Sequence, residues 1–310
     1  MDPHRLFERP FRVAPYFSPR LWGTRDLRAW YPEHGTESEP IGEAWLTADR
    51  CHLWQHPDLT LAQWPGGFPL LTKFLFPHDK LSVQVHPNDA QAAAAGIGRG
   101  KTEMWYVVAA DPGAQLGVDL APGTTLEQLE KACEAGAGAE LLNWFPVQAG
   151  DTVFVPAGTI HAIGAGMVLC EVQQQSDNTY RLDDFGRRDS QGRLRELHLK
   201  QGLAVARPQA GGGLQKTGLS SGESGLLVAC AYFRVERRVW HGAYRPSAGR
   251  LRLLIPLQGE VRLQPAEGEP LMVPLAHAVV IPPTAGPVEL QGTGVALEVT
   301  VPDPCDRRGA

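Results

Sequence analysis

The chain of 310 residues is long enough for two ordinary domains, and 43% hydrophobic with 20% charged residues suits a folded, soluble protein. A net charge of -5, with no basic block and no acidic tail, argues against nucleic acid or an anionic membrane surface as a partner. No run of about 18 apolar residues occurs, so no membrane-spanning helix is expected.

In chain order, the opening MDPHRLFERPFRVAPYF lacks the apolar core of a signal peptide. The five cysteines (51, 133, 170, 230 and 305) are dispersed, with no CxxC pair. Together these predict a cytoplasmic chain with reduced thiols and no cysteine-based zinc site. Short apolar runs follow: LLTKFLF, KLSVQVH, EMWYVVAA, DTVFVPA and GMVLCEVQQ, then RLLIPLQGEVRLQ, AVVIPP and VALEVTVP. They are rich in Val, Leu and aromatics and bounded by Gly and Pro, which predicts strands. Residues 88–95, NDAQAAAA, read as a short helix with Asn88 or Asp89 as N-cap. Residues 124–135 read as another, with Thr124 and Glu127 at capping-box spacing and ELLNWF continuing the helical region. The Gly- and Ser-rich stretch 205–225 reads as a linker between a longer part, 1–204, and a smaller part, 226–310. A faint repeat supports two copies of one β unit: Gly150 and Pro156 flank a strand in GDTVFVPAG, as Ala276 and Pro282 do in AHAVVIPPT. The predicted fold is all-β dominated, two jelly-roll barrels with a few short helices.

Three stretches can carry chemistry. In LSVQVHPND, residues 81–89, Ser82, Gln84 and His86 share one face of a strand while Val83 and Val85 face the other way. The plain alternative is a polar outer face on an antiparallel sheet. In GKTEMWYVV, Glu103 opens an aromatic strand, where a buried carboxylate must be paired, hydrogen-bonded or metal-bound. In GDTVFVPAGTIHA, a strand ends at Pro156, Gly158 allows a tight turn, and His161 follows. Gln84, His86, Glu103 and His161 together offer two imidazole nitrogens and two oxygens, a set that suits Zn²⁺ and also Fe²⁺, Mn²⁺, Co²⁺ or Ni²⁺.

The spacing of Gly150, Pro156, Gly158 and His161 resembles the second cupin motif. FPLLTKFLFPHDKLSVQVHPND, GKTEMWYVV and PAGTIHAIGAGMVLCEVQQQSDNTYRLDDFGR, in that order, resemble the cupin-type mannose-6-phosphate isomerases in their short bacterial form. PIGEAWLTADR is similar to an early segment of that family, with Ala44 where a serine is usual. The resemblance implies cupin-like barrels and one zinc ion per chain on Gln84, His86, Glu103 and His161, with Gln84 the weakest ligand. It implies a metal-dependent aldose–ketose isomerase acting on a sugar phosphate, a monomer or small homo-oligomer. It also implicates Arg181 in SDNTYR and Lys101, two residues before Glu103, as catalytic groups. In that scheme Arg181 would hold or stabilise an oxyanion, and Lys101 would shuttle a proton if desolvation lowers its pKa. Arg99, Lys101 and Arg181 are candidate phosphate ligands, and Glu171 is a possible base but reads better as structural. The second barrel, with His277 misplaced for ligation, would be metal-free. A non-catalytic sugar-binding protein and an isomerase for another sugar are the rival classes.

Overall fold

The computed structural model describes residues 6–302 apart from positions 190 and 221, so Cys305 lies outside the described residues. Antiparallel strands dominate, with three short α-helices among the described residues, a cupin-like β fold as the sequence predicted. Cys51, Cys133, Cys170 and Cys230 carry free thiols.

Two sheets enclose the interior of the first part. One runs in the order Gly213–Leu214, Thr152–Val155, Glu103–Ala110, Met167–Gln174, Leu70–Leu75, Thr36–Trp45, Tyr16–Asp26. The other runs Leu142–Pro146, Gln115–Leu120, His161–Ile163, Val83–Val85, Tyr180–Asp183. Their inward faces meet in one apolar cluster, with Trp105, Val107, Val153 and Leu169 from the first sheet and Leu116, Val118 and Ile163 from the second. The outer face of the smaller sheet is covered by the helices Leu126–Glu134 and Leu199–Val205: Leu129, Cys133 and Val205 pack on Val83, Val85 and Leu182. Val83 and Val85 therefore point outward under the helices, and strand alternation turns Gln84 toward the interior.

The outer face of the larger sheet packs on the C-terminal sheet. Met104, Tyr106 and Val172 share a cluster with Leu253, Ile255, Val280 and Leu297. EMWYVVAA shows no polar alternation because both of its faces are buried. The C-terminal sheet also takes in strands from the start of the chain: Phe11–Val13 pairs with Ala278–Ile281, Phe11 opposite Val280. The Gly-rich stretch is similarly built in, because Gly213–Leu214 pairs with Thr152–Val155. Strand pairing thus joins residues on the two sides of the 205–225 stretch, and the stretch itself contributes a short strand.

Two local expectations need correction. The second helix is capped one residue later than predicted: Thr125, extended at φ -101°, accepts from the Gln128 backbone, and the Gln128 side chain accepts from the Thr125 backbone. A reciprocal cap of this kind stabilises by about 1 kcal/mol. ELLNWF does not continue the helix. The helix stops at Glu134, a separate 3₁₀ turn, Gly138–Leu141, follows, and Leu142–Pro146 becomes an edge strand against Gln115–Leu120. The open backbone of that strand and Gly117, which leaves room for the Trp144 ring, outweigh the local helical pattern. The faint repeat has a geometric counterpart. Gly150 and Ala276 both adopt positive φ, 97° and 58°, each two residues before its strand.

Candidate metal centre and adjoining cavity

Three adjacent strands of the smaller sheet set out the first row of side chains. Gln84 lies directly opposite His161 on one side and Arg181 on the other, so all three share the inward face. His86 follows the end of its strand, Val83–Val85, where Pro87 breaks the ladder. Asn88 then caps the helix Asp89–Ala94 reciprocally with Gln91, which fixes the chain immediately after His86. Gly158, at φ 90°, makes the turn that precedes His161. In the facing sheet, Glu103 is on the same side of its strand as Trp105, whose ring lies 5.3 Å from that of His161.

The structure brings His86, Glu103 and His161 together. One ligand atom of each lies within 4.8 Å of the others, and all three residues are buried. His86 Nδ1 donates to the Asn178 carbonyl and His161 Nδ1 to the Thr159 carbonyl, each at 2.9 Å. A carbonyl only accepts, so each ring carries its proton on Nδ1 and turns a lone pair on Nε2 inward. Both Nε2 atoms lack a hydrogen-bond partner. They face Glu103 Oε1 at 3.6 Å (His86) and 3.3 Å (His161). Burial, reinforced by Lys101 nearby, pushes both imidazoles below their usual pKa, so the rings are neutral. Two lone pairs and a carboxylate aimed at one point, with no donor between them, form a set that a cation would satisfy. The donor set and its carbonyl-anchored imidazoles fit a divalent ion of the N/O-binding class.

Beside this cluster is a cavity of about 380 Å³, lined by Gln84, Lys101, Glu171 and Arg181 among others. Lys101 Nζ lies 2.8 Å from Glu103 Oε2. Burial opposes ionisation of Glu103, but the Lys101 ammonium outweighs it and holds its pKa below the usual range. Glu171 goes the other way. Burial, with the adjacent Glu103 adding to it, outweighs Lys101 and Lys73 and raises its pKa. Trp105 Nε1 donates to Glu171 Oε1 at 3.0 Å. Arg181 is half-buried at the cavity wall, with Nη1 donating to the Glu196 carbonyl at 2.9 Å and Nε without a partner. Arg99 does not line this cavity but a neighbouring cleft with Asp49 and Asn178, and Asp177 lines both. His277 is tied to the Leu275 carbonyl at 2.9 Å and packs on Tyr31, just before the strand Ala278–Ile281 of the C-terminal sheet.

Comparison with known proteins gives a consistent result. No family model matches the chain. It is 36% identical over 277 residues to the mannose-6-phosphate isomerase ManA of Bacillus subtilis, covering 82% of this chain and 87% of that one. It is 41% identical over 277 residues to the mannose-6-phosphate isomerase of Streptococcus mutans, covering 82% and 86%. The chain belongs to the mannose-6-phosphate isomerase family. A crystal structure of the Bacillus subtilis mannose 6-phosphate isomerase has the same fold, with a TM-score of 0.81 at 24% identity over 94% of this chain and 99% of that one. Phosphomannose isomerase from Salmonella typhimurium superposes with a TM-score of 0.76 at 17% identity, over 94% and 99%.

In this member of the family, several cavity residues escaped the sequence reading. Lys73 is only 2% exposed and reaches Asp177 at 2.9 Å, Glu171 at 3.7 Å and Glu43 at 4.0 Å. Burial alone would drive its ammonium toward neutrality, but these carboxylates overcome that and raise its pKa. Its signal was present, a lysine inside the apolar run LLTKFLF, where only a paired charge can be buried. Arg20 donates to Glu43 at 2.8 Å, and Arg195 sits 3.3 Å from Asp184. Both lie in sequence contexts without periodicity, and nothing local marks them.

Proposed function

We propose that the protein is a mannose-6-phosphate isomerase that interconverts mannose 6-phosphate and fructose 6-phosphate by proton transfer between C1 and C2. The observation that carries this is the pair of unpartnered, inward Nε2 lone pairs around Glu103, beside a cavity rich in cations. Family membership supplies the substrate class.

His86, Glu103 and His161 would hold one divalent ion, Zn²⁺ by their donor type, with Gln84 as a fourth oxygen donor. When bound, the ion polarises the sugar carbonyl and stabilises charge on its oxygen. Burial alone would lower the Lys101 pKa as the shuttle role requires, but Glu103 outweighs it and raises it, so Lys101 keeps Glu103 ionised and presents Nζ at the cavity wall as an ammonium that can donate to a substrate oxygen. Arg181 keeps donors free for the developing enediolate oxygen, and its guanidinium stays charged throughout. Trp105 and Lys73 hold Glu171 in place at the cavity floor. No described helix is long and apolar enough to cross a membrane.

The test is conversion of mannose 6-phosphate in D₂O, followed by NMR. Fructose 6-phosphate should form, with partial deuterium at C1 from a proton exchanged during transfer. Absence of turnover by metal-replete protein would sink the proposal.

A further inference from the structure

Five cationic side chains and three carboxylates line the 380 Å³ cavity, and the four cations other than Arg181 divide into two pairs. Lys73 and Lys101 are at most 5% exposed at their side chains and are engaged by carboxylates, Lys73 by Asp177 and Lys101 by Glu103. Arg20 and Arg195 are different. Their side chains are 30% and 23% exposed, at the part of the lining open to solvent. Arg20 donates by Nη2 to Glu43 Oε2 at 2.8 Å and by Nη1 to the Pro19 carbonyl at 3.1 Å, and Arg195 donates by Nη1 to Asp184 Oδ1 at 3.3 Å. Each guanidinium has five N–H donors, so most of each fork stays available. Asp184 is shared, since it also accepts from Arg187 Nη2. Arg195 is surrounded by like charge: after burial, Arg181 contributes most to lowering its pKa, with Arg187 and Arg20 adding to it. An anion among these groups would relieve that repulsion.

We propose that Arg195 and Arg20 form the subsite for the phosphoryl group of the substrate, clamping it at the cavity rim while the C1–C2 end reaches Lys101 and the His86–Glu103–His161 cluster. This rests on the isomerase function proposed above and adds the residues that select a phosphorylated sugar. The chemistry matches: a guanidinium fork binds phosphate oxygens in pairs, anchored by a carboxylate behind it. Arg181 stands between the two ends, opposite Gln84 in register.

The experiment compares Arg195→Gln, Arg20→Gln and Arg195→Lys with the wild type. It uses steady-state kinetics on mannose 6-phosphate, inhibition by inorganic phosphate, and thermal unfolding with and without inorganic phosphate. Each glutamine variant should raise KM by about tenfold or more, the loss expected for one charge-assisted contact. The inhibition constant for inorganic phosphate should rise in parallel, and most of the fall in kcat/KM should come from KM. Arg195→Lys should recover part of the affinity. Inorganic phosphate should raise the wild-type Tm and leave that of Arg195→Gln unchanged, which also shows whether the variant is folded. Glutamine variants with wild-type KM and wild-type phosphate inhibition overturn the subsite. Should the wild type fail to turn over mannose 6-phosphate yet gain an Arg195-dependent Tm shift from inorganic phosphate, the isomerase function fails and the anion subsite stands.

Discussion

Glu103→Gln is expected to leave the purified protein with substoichiometric metal and to lower kcat by about 10³ or more. Glutamine keeps the shape of glutamate but removes the charge that two inward Nε2 atoms face at 3.3 and 3.6 Å. Loss of a partner behind a ligand typically costs 10–100-fold in metal affinity, and loss of a direct anionic ligand should exceed that. The substitution also strips Lys101, buried and 2.8 Å from Glu103, of its counter-charge. An ammonium left alone in that environment is driven toward its neutral form. Metal analysis and a coupled activity assay on the same sample check the expectation. A Glu103→Gln protein with full metal content and activity within tenfold of wild type would exclude Glu103 as a ligand.

Arg181→Ala is expected to separate metal binding from turnover. Arg181 shares the inward row with Gln84 and His161 but is bound to the Glu196 carbonyl, not to the His–Glu–His cluster. Its loss should leave metal content unchanged and reduce kcat by about 10²–10³, the usual effect of deleting one preorganised oxyanion donor. Arg181→Lys keeps the charge but loses the planar fork and should recover only part of the rate. An Arg181→Ala enzyme whose only change is in KM would assign the residue to ground-state binding. The Glu196 contact places Arg181 close behind Arg195 in the chain's path. For that reason the phosphate-inhibition constant of Arg181→Ala should be measured alongside its kcat.

Much of the architecture was legible because it depends on period and punctuation. Alternation in VQV turns Gln84 inward and Val83 and Val85 under the helices, as pattern alone predicts. The proximity of His86, Glu103 and His161 could be expected because each sits at a strand end, and strand ends in a barrel converge on one mouth. Most of what failed was decided by partners distant in sequence. Leu142–Pro146 has a helical neighbourhood but became a strand because an edge was open beside Gly117. The shift from Thr124 to Thr125 as N-cap reflects a turn in which the Thr124 amide already donates to the Ala121 carbonyl. Arg195 was invisible for a similar reason: its placement depends on Asp184 and on the return of the chain through Glu196 to Arg181, not on any local pattern. Lys73 was the readable miss, since a lone lysine in an apolar strand requires buried carboxylates nearby.

The most direct measurement is metal content together with mannose 6-phosphate isomerase activity on one preparation, as purified, after chelation, and after adding back Zn²⁺. One equivalent of metal per chain, activity lost with the metal and restored by Zn²⁺, is the predicted result. Full activity in protein stripped of metal would contradict the account, because the His86–Glu103–His161 cluster would then have no part in the reaction.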